Sequence, residues 1–142
     1  MRIILLFVTA FAFLILHSCN DSNGKVASTR DIELISAQQV HEAINNEDSL
    51  QLVDVRSQEE YKVSHLKGAQ NICIDNDDFD KKAKSLDKNK PVYVYCKKGS
   101  QSAKAAEKLK KLGFTKVYDL DGGIRSWEEK KLELENYNLP IP

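Results

Sequence analysis

The chain has 142 residues, which is enough for one domain with a buried core and too few for two domains of ordinary size. Its composition is 42% hydrophobic and 30% charged, and 21 basic residues balance 21 acidic ones. This composition argues against a disordered chain, and the zero net charge argues against a nucleic-acid partner.

The first 18 residues have the organisation of a secretory signal peptide. Arg2 precedes the apolar run Ile3 to Leu16, which is too short to span a bilayer comfortably. The run ends in Leu-His-Ser-Cys, which resembles the bacterial lipobox, where a cysteine becomes the lipidated N-terminus. We therefore expect a lipidated Cys19, a flexible tether at 19–31, and a protein of the bacterial cell envelope that faces the periplasm or the surface. Ordinary secretion to the periplasm and an uncleaved anchor are the alternatives.

Short β-rich runs alternate with helical periodicity from residue 32 onwards. In chain order we predict a strand at 32–35, a helix at 37–46, a strand at 50–55, a helix at 58–66, a strand at 68–74, a helix at 75–86, a strand at 92–96, a helix at 100–112, a strand at 114–120 and a helix at 124–132. This alternation is typical of an α/β domain with a central parallel sheet and helices on both faces. The domain is expected to span 32–134, followed by a C-terminal tail at 135–142.

Two serines and one apolar face refine these helices. Ser36 is placed to cap the first helix, and Ser57 with Glu60 forms a capping-box pattern for the second. In the helix at 100–112, a spacing of three predicts a buried face made of Ala103, Ala106, Leu109 and Leu112.

The segment Tyr-Cys-Lys-Lys-Gly, residues 95–99, joins the most apolar strand to the helix at 100–112. In parallel sheets, functional residues lie where strands give way to helices. Backbone N–H groups at a helix N-terminus stabilise an anion, and Lys97 and Lys98 favour the thiolate of Cys96. Gly99 allows the loop to curve around whatever the sulfur carries. From these residues alone, Cys96 is either a nucleophile or an ordinary residue at the end of a strand.

Three stretches resemble, in order, the signatures of the rhodanese family. Leu52 to Ile72 contains its Asp-x-Arg, Glu-Tyr, His and Gly-Ala, Val92 to Phe114 resembles its active-site loop and following helix, and Val117 to Glu129 its Gly-Gly-x-x-x-Trp ending. The resemblance covers about residues 32–132 and implies a rhodanese-like fold and a sulfurtransferase. Such an enzyme takes sulfane sulfur from a donor such as thiosulfate, holds it as a persulfide, and passes it to cyanide or a thiol.

Carried onto this chain, the resemblance implies a set of site residues and partners. The nucleophile is Cys96, and the substrate-binding loop comprises Lys97, Lys98, Gly99, Ser100 and Gln101. Asp54 and Arg56, two apart at the end of a strand, are expected to lie near the loop as an ion pair. The expected partners are a small sulfur-containing anion or persulfide donor, a thiol acceptor, and the membrane through the lipid anchor. We expect no cofactor, and no metal because no cysteine and histidine cluster has zinc spacing.

Gln101 departs from the family pattern, which commonly has arginine five residues after the cysteine. Glutamine brings no charge and no bidentate fork, so recognition of dianionic thiosulfate should weaken, and polysulfide or a protein persulfide becomes a more plausible donor. The same position argues against the phosphatases and arsenate reductases of this fold, which hold an oxyanion with arginine. A non-catalytic binding or sulfur-carrier docking module is the alternative function.

The remaining cysteine and the last turn have structural interpretations. Cys73 is a buried small hydrophobe, a disulfide partner of Cys96 in an oxidising compartment, or a thiol that resolves a persulfide. Gly122 and Gly123 are predicted to make the tight turn that brings the last helix beside the cysteine loop, and Trp127 to fill the core.

Overall fold

The computed structural model describes residues 32–47 and 49–136. The predicted signal peptide, Cys19, the tether and the last six residues lie outside the described residues. The elements in chain order are β1 (Ile32–Ile35), α1 (Ala37–Asn46), β2 (Gln51–Asp54), α2 (Gln58–Val63), β3 (Gln70–Asn71), α3 (Phe79–Ala83), β4 (Val92–Tyr95), α4 (Ser100–Lys111), β5 (Val117–Leu120) and α5 (Gly123–Glu129).

The five strands form one parallel sheet in the order β1-β5-β4-β2-β3. One apolar cluster joins the sheet to α3 and α4, and a second joins the other face to α1 and α5. This arrangement confirms the predicted α/β fold with helices on both faces of a parallel sheet. All four residues of β4 are buried, because this strand lies in the middle of the sheet and is covered on both sides.

The side chains of the two serines identified in the sequence cap the first two helices. Ser36 caps α1 and forms a complete capping box with Gln39. At α2, the Ser57 hydroxyl accepts a hydrogen bond from the Glu60 N–H and donates one to the Glu60 carboxylate. The capping box predicted at Ser57 is therefore present in its serine half.

The buried face of α4 differs from the prediction. Ser102, Ala105, Ala106 and Leu109 are buried, whereas Ala103 is exposed. A true α-helix advances 3.6 residues per turn, so a strict spacing of three drifts away from the face that meets the sheet. As a result, the polar side chain of Ser102 is buried beneath the first turn of α4, where its hydroxyl donates to the Gly99 carbonyl at 3.1 Å.

The end of the described chain returns to the domain. Glu135, in the segment predicted as a tail, exchanges two backbone hydrogen bonds of 2.8 Å with His65.

None of the helices in the described residues has both the length and the apolar character needed to cross a membrane.

Candidate active site

Cys96 lies directly after β4, at the carboxyl end of the most buried strand. Its residue surface is 1% exposed, and its Sγ accepts a hydrogen bond of 3.1 Å from the Gly99 N–H. Gly99 adopts a left-handed backbone with φ of 103° and is the residue that precedes α4. The loop thus turns back on itself and aims a backbone donor at the sulfur.

The helix that follows supplies a favourable field for an anion. Ser100 begins α4, a helix of 12 residues whose N-terminus carries partial positive charge. Lys97 and Lys98, the next two residues after the cysteine, are exposed. The arrangement can hold a negatively charged sulfur and attract a negatively charged reagent.

A second helix fixes the same loop from the other side. The Ile124 N–H donates to the Cys96 carbonyl at 2.8 Å, and the Arg125 N–H donates to the Lys97 carbonyl at 3.2 Å. Gly123 has φ of 61°, and a Cβ at this position would lie 2.3 Å from the Cys96 oxygen. The predicted tight turn therefore brings α5 into direct backbone contact with the cysteine loop.

The side chain of Gln101 forms a hydrogen bond with a residue outside the cysteine loop. Its Nε2 donates a hydrogen bond of 3.1 Å to Oδ2 of Asp75, in the segment between β3 and α3. Sequence reasoning did not select Asp75 as a site residue, because its position beside the loop depends on how two distant segments fold together. Its carboxylate places a negative charge next to the residue that replaces the usual arginine.

Asp54 and Arg56 form the predicted ion pair at the end of β2. Arg56 Nε donates to both carboxylate oxygens of Asp54, at 2.9 and 3.1 Å, and Arg56 Nη2 donates to the Ser64 carbonyl at 2.7 Å. Burial lowers the pKa of Arg56, but the hydrogen bond and charge of Asp54 outweigh it, so the pKa is raised. The pair joins β2 to the end of α2, and its guanidinium stays charged.

A cleft of about 480 Å³ opens beside the cysteine loop. Its basic residues are Arg56, Lys97, Lys98 and Arg125, and its acidic residues are Glu60 and Glu128. Arg56, which pairs with Asp54, and the loop residues Lys97 and Lys98 therefore line the same cleft. Because Arg56 pairs with Asp54 and Arg125 with Glu129, Lys97 and Lys98 are the groups that make the cleft suit an anionic ligand.

Cys73 is buried and free, as is Cys96, so the disulfide between them is not formed. Burial agrees with the interpretation of Cys73 as a small hydrophobic residue. Across residues 32–47 and 49–136, no group of three or more His, Cys, Asp or Glu side chains is arranged to hold a metal ion.

Comparisons with known proteins agree with the fold. The family model described as "Rhodanese-like domain" matches residues 36–130. The chain is 34% identical over 96 residues to "Putative sulfur carrier protein YrkF" of Bacillus subtilis, covering 68% of this chain and 51% of YrkF. It is 40% identical over 76 residues to "Thiosulfate sulfurtransferase GlpE" of Pseudomonas fluorescens, covering 54% of this chain and 68% of GlpE.

Solved structures show the same fold. The crystal structure of the Alr3790 protein from Anabaena superposes with a TM-score of 0.67 at 28% identity, covering 72% of this chain and 81% of that one. The chain spans about half the length of YrkF.

Proposed function

The chain belongs to the rhodanese-like domain family, and we propose that it is a sulfurtransferase that carries sulfane sulfur as a persulfide on Cys96. The observation that carries the proposal is the Cys96 sulfur, which accepts the Gly99 N–H in front of the N-terminus of α4. Relatives whose names include a thiosulfate sulfurtransferase and a putative sulfur carrier support this class of activity.

The proposed reaction has two steps. The Cys96 thiolate attacks the outer sulfur of the donor; with thiosulfate, the S–S bond breaks and sulfite leaves with the electron pair. An acceptor thiol, after losing its proton to solvent, attacks the terminal sulfur of the persulfide, and Cys96 leaves as a thiolate. The Gly99 N–H and the N-terminus of α4 stabilise the anionic sulfur in both steps, while Lys97 and Lys98 attract the donor.

Gln101 makes thiosulfate a poor choice of donor for this chain. The amide brings no positive charge, and its donor Nε2 already binds Asp75. A dianion therefore meets no guanidinium fork at this position, and the amide that it does meet lies beside the Asp75 carboxylate. We propose polysulfide or a protein persulfide as the better donor and a thiol as the acceptor.

The same contact favours a second candidate, a non-catalytic rhodanese-like domain that binds a protein or a sulfur carrier. Such a module needs the fold of the cysteine loop but does not need a charged residue at position 101 to bind a sulfur donor. The two candidates differ in whether Cys96 takes up sulfur.

Intact-mass measurement separates these candidates. The full chain is incubated with thiosulfate, polysulfide or a small persulfide, and we expect the mass to increase by one sulfur atom, most completely with polysulfide. Cys96→Ser should abolish the gain, whereas the matched variant Cys73→Ser should retain it. Absence of any gain with all three donors would contradict the enzyme and favour the docking module.

We also propose that Cys19 anchors the domain to a membrane of the bacterial envelope, facing the periplasm or the surface. The support is the apolar run that ends in Leu-His-Ser-Cys, followed by a polar segment. Cys19→Ala should move the protein from the membrane fraction to the soluble fraction. Retention of this variant in the membrane would contradict lipidation and favour an uncleaved anchor.

A further inference from the structure

Asp119 is a buried carboxyl group that the proposed reaction does not use. It lies in β5 with 3% of its surface exposed, and its Oδ1 has no hydrogen-bond partner. Buried polar atoms are nearly always hydrogen-bonded, so an orphaned carboxylate oxygen needs a physical explanation.

The strand register places Asp119 close to Cys96. Asp119 pairs with Val94 of β4, and Cys96 follows two residues later. Val94 and Cys96 belong to the apolar cluster beneath α4, as does Val117, two residues before Asp119. Residues two apart share a face of the sheet, so the Cα atoms of Asp119 and Cys96 are about 8 Å apart on the side that α4 covers.

Ser102 connects the two groups through the first turn of α4. Its fully buried hydroxyl donates to the Gly99 carbonyl at 3.1 Å, and the Gly99 N–H donates to the Cys96 Sγ at 3.1 Å. Burial raises the pKa of Asp119 to about 6, against the effect of the Ser102 hydroxyl, which lowers it. Asp119 and Cys96 are therefore two acids beneath one helix N-terminus.

We propose that the carboxyl group of Asp119 controls how readily Cys96 carries negative charge, because the two groups compete for the N-terminus of α4. The proposal rests on the proposed function in taking Cys96 as the reactive thiol. When Asp119 is ionised, its charge opposes the thiolate and the persulfide anion. When it is protonated, its O–H can donate to the Ser102 hydroxyl, and the helix N-terminus serves the sulfur alone.

Other groups near Asp119 in the described part of the chain bear on such a pH dependence. Asp121, exposed at the end of the same strand, acts on it and raises its pKa. The neighbouring elements present Cys96 from β4, Ser102 from α4, and Leu34 from β1, which is in register with Asp119. Of these three, Cys96 is the one that ionises.

The test is the rate of Cys96 alkylation by iodoacetamide between pH 5 and 7.5, in full chains with Cys19→Ser and Cys73→Ser. The ratio of the Asp119→Asn rate to the Asp119 rate should be close to one at pH 5. It should rise through pH 6 and reach about tenfold at pH 7.5, the size expected for two charges at this separation in a protein interior. The exposed-acid control Asp121→Asn should change the rate by less than about twofold.

A ratio that stays constant across this pH range would overturn the proposal, since a purely structural role changes the rate equally at every pH. If Asp119→Asn does not fold, the unsubstituted residue is titrated by carboxyl NMR after alkylation of Cys96. An anionic carboxymethyl adduct should raise the Asp119 midpoint by about one pH unit relative to the neutral carboxamidomethyl adduct, and equal midpoints would overturn the proposal. Neither readout needs sulfur transfer, so a failed mass gain and a failed coupling are separate results.

Discussion

Gly123→Ala should displace the cysteine loop, and its effect can be estimated from the contacts of the missing side chain. An alanine Cβ would lie 2.3 Å from the Cys96 oxygen and 2.8 Å from the Lys97 oxygen, well inside contact distance. The backbone must also keep a φ of 61°, which an L residue adopts at a penalty of about 1 to 2 kcal/mol. Moving the loop weakens the hydrogen bonds from Ile124 and Arg125, so the free energy of unfolding should fall by about 3 kcal/mol.

Gly68→Ala is the matched control for this estimate. Gly68 also has a positive φ, of 74°, but an added Cβ meets no atom within 4 Å. The control should lose only the conformational term, about 1 kcal/mol. Urea unfolding, followed by the fluorescence of the single, buried Trp127, measures both variants.

Alkylation of Cys96 in the folded variants gives a second readout. Gly123→Ala should alter the rate, because the loop that aims the Gly99 N–H at the sulfur has moved, while Gly68→Ala should leave it unchanged. Equal losses of stability in the two variants would refute the reasoning, because the steric contact with the loop would then contribute nothing.

Three further predictions concern charged and polar groups. Burial raises the pKa of Asp119, so its contribution to the free energy of unfolding of the wild type should decrease as the pH rises from 4 to 6 and the carboxyl ionises. Asp119→Asn cannot ionise, so it should be as stable as the wild type at pH 4 and more stable by about 2 kcal/mol at pH 7.5. A constant difference at both pH values, measured by urea unfolding, would contradict this. Asp54→Asn should reduce the free energy of unfolding by about 3 kcal/mol, since Arg56 keeps a buried charge without its partner; a loss below about 1 kcal/mol in the same assay would show that the pair is dispensable. Gln101→Arg should increase kcat/KM more with thiosulfate than with polysulfide, by about tenfold when combined with Asp75→Asn and less when Asp75 remains to pair with the new guanidinium; equal gains with both donors would remove the argument from charge.

The fold was largely predictable because its signals are local. Each strand and helix of the described residues overlaps a predicted segment. Central strands covered on both faces must be continuously apolar, and the helices between them need caps and one apolar face. β3 has only two residues, which is fewer than its apolar sequence indicated, although the Ile72 and Ile74 N–H groups still donate to the carbonyls of Asp54 and Val55 beyond its end.

The candidate site was predictable only where a motif lies within one segment. The loop from Cys96 to Gln101 was selected because strand, loop and helix N-terminus are consecutive and because this segment resembles the rhodanese active-site loop. Asp75 and Asp119 were missed, because each approaches the loop from a different part of the chain. An aspartate in the run Val-Tyr-Asp-Leu gives no sign that a helix will cover it, and the spacing-of-three reading of α4 placed the buried face away from Ser102.

The burial of Cys96 determines which donors and acceptors can reach its sulfur. With 1% of its surface exposed, Cys96 without a bound sulfur atom is shielded from any molecule larger than a small reagent. Adding one sulfur moves the reactive atom outward by about 2 Å, the length of an S–S bond. Formation of the persulfide thus changes which molecules can reach the reactive sulfur. A donor must insert a narrow, protruding sulfur to reach the Cys96 thiolate, whereas a bulkier acceptor thiol can reach the terminal sulfur of the persulfide closer to the surface. Shielding of this kind would keep bulky disulfides and other electrophiles away from the unloaded thiolate while leaving the loaded sulfur open to an acceptor thiol.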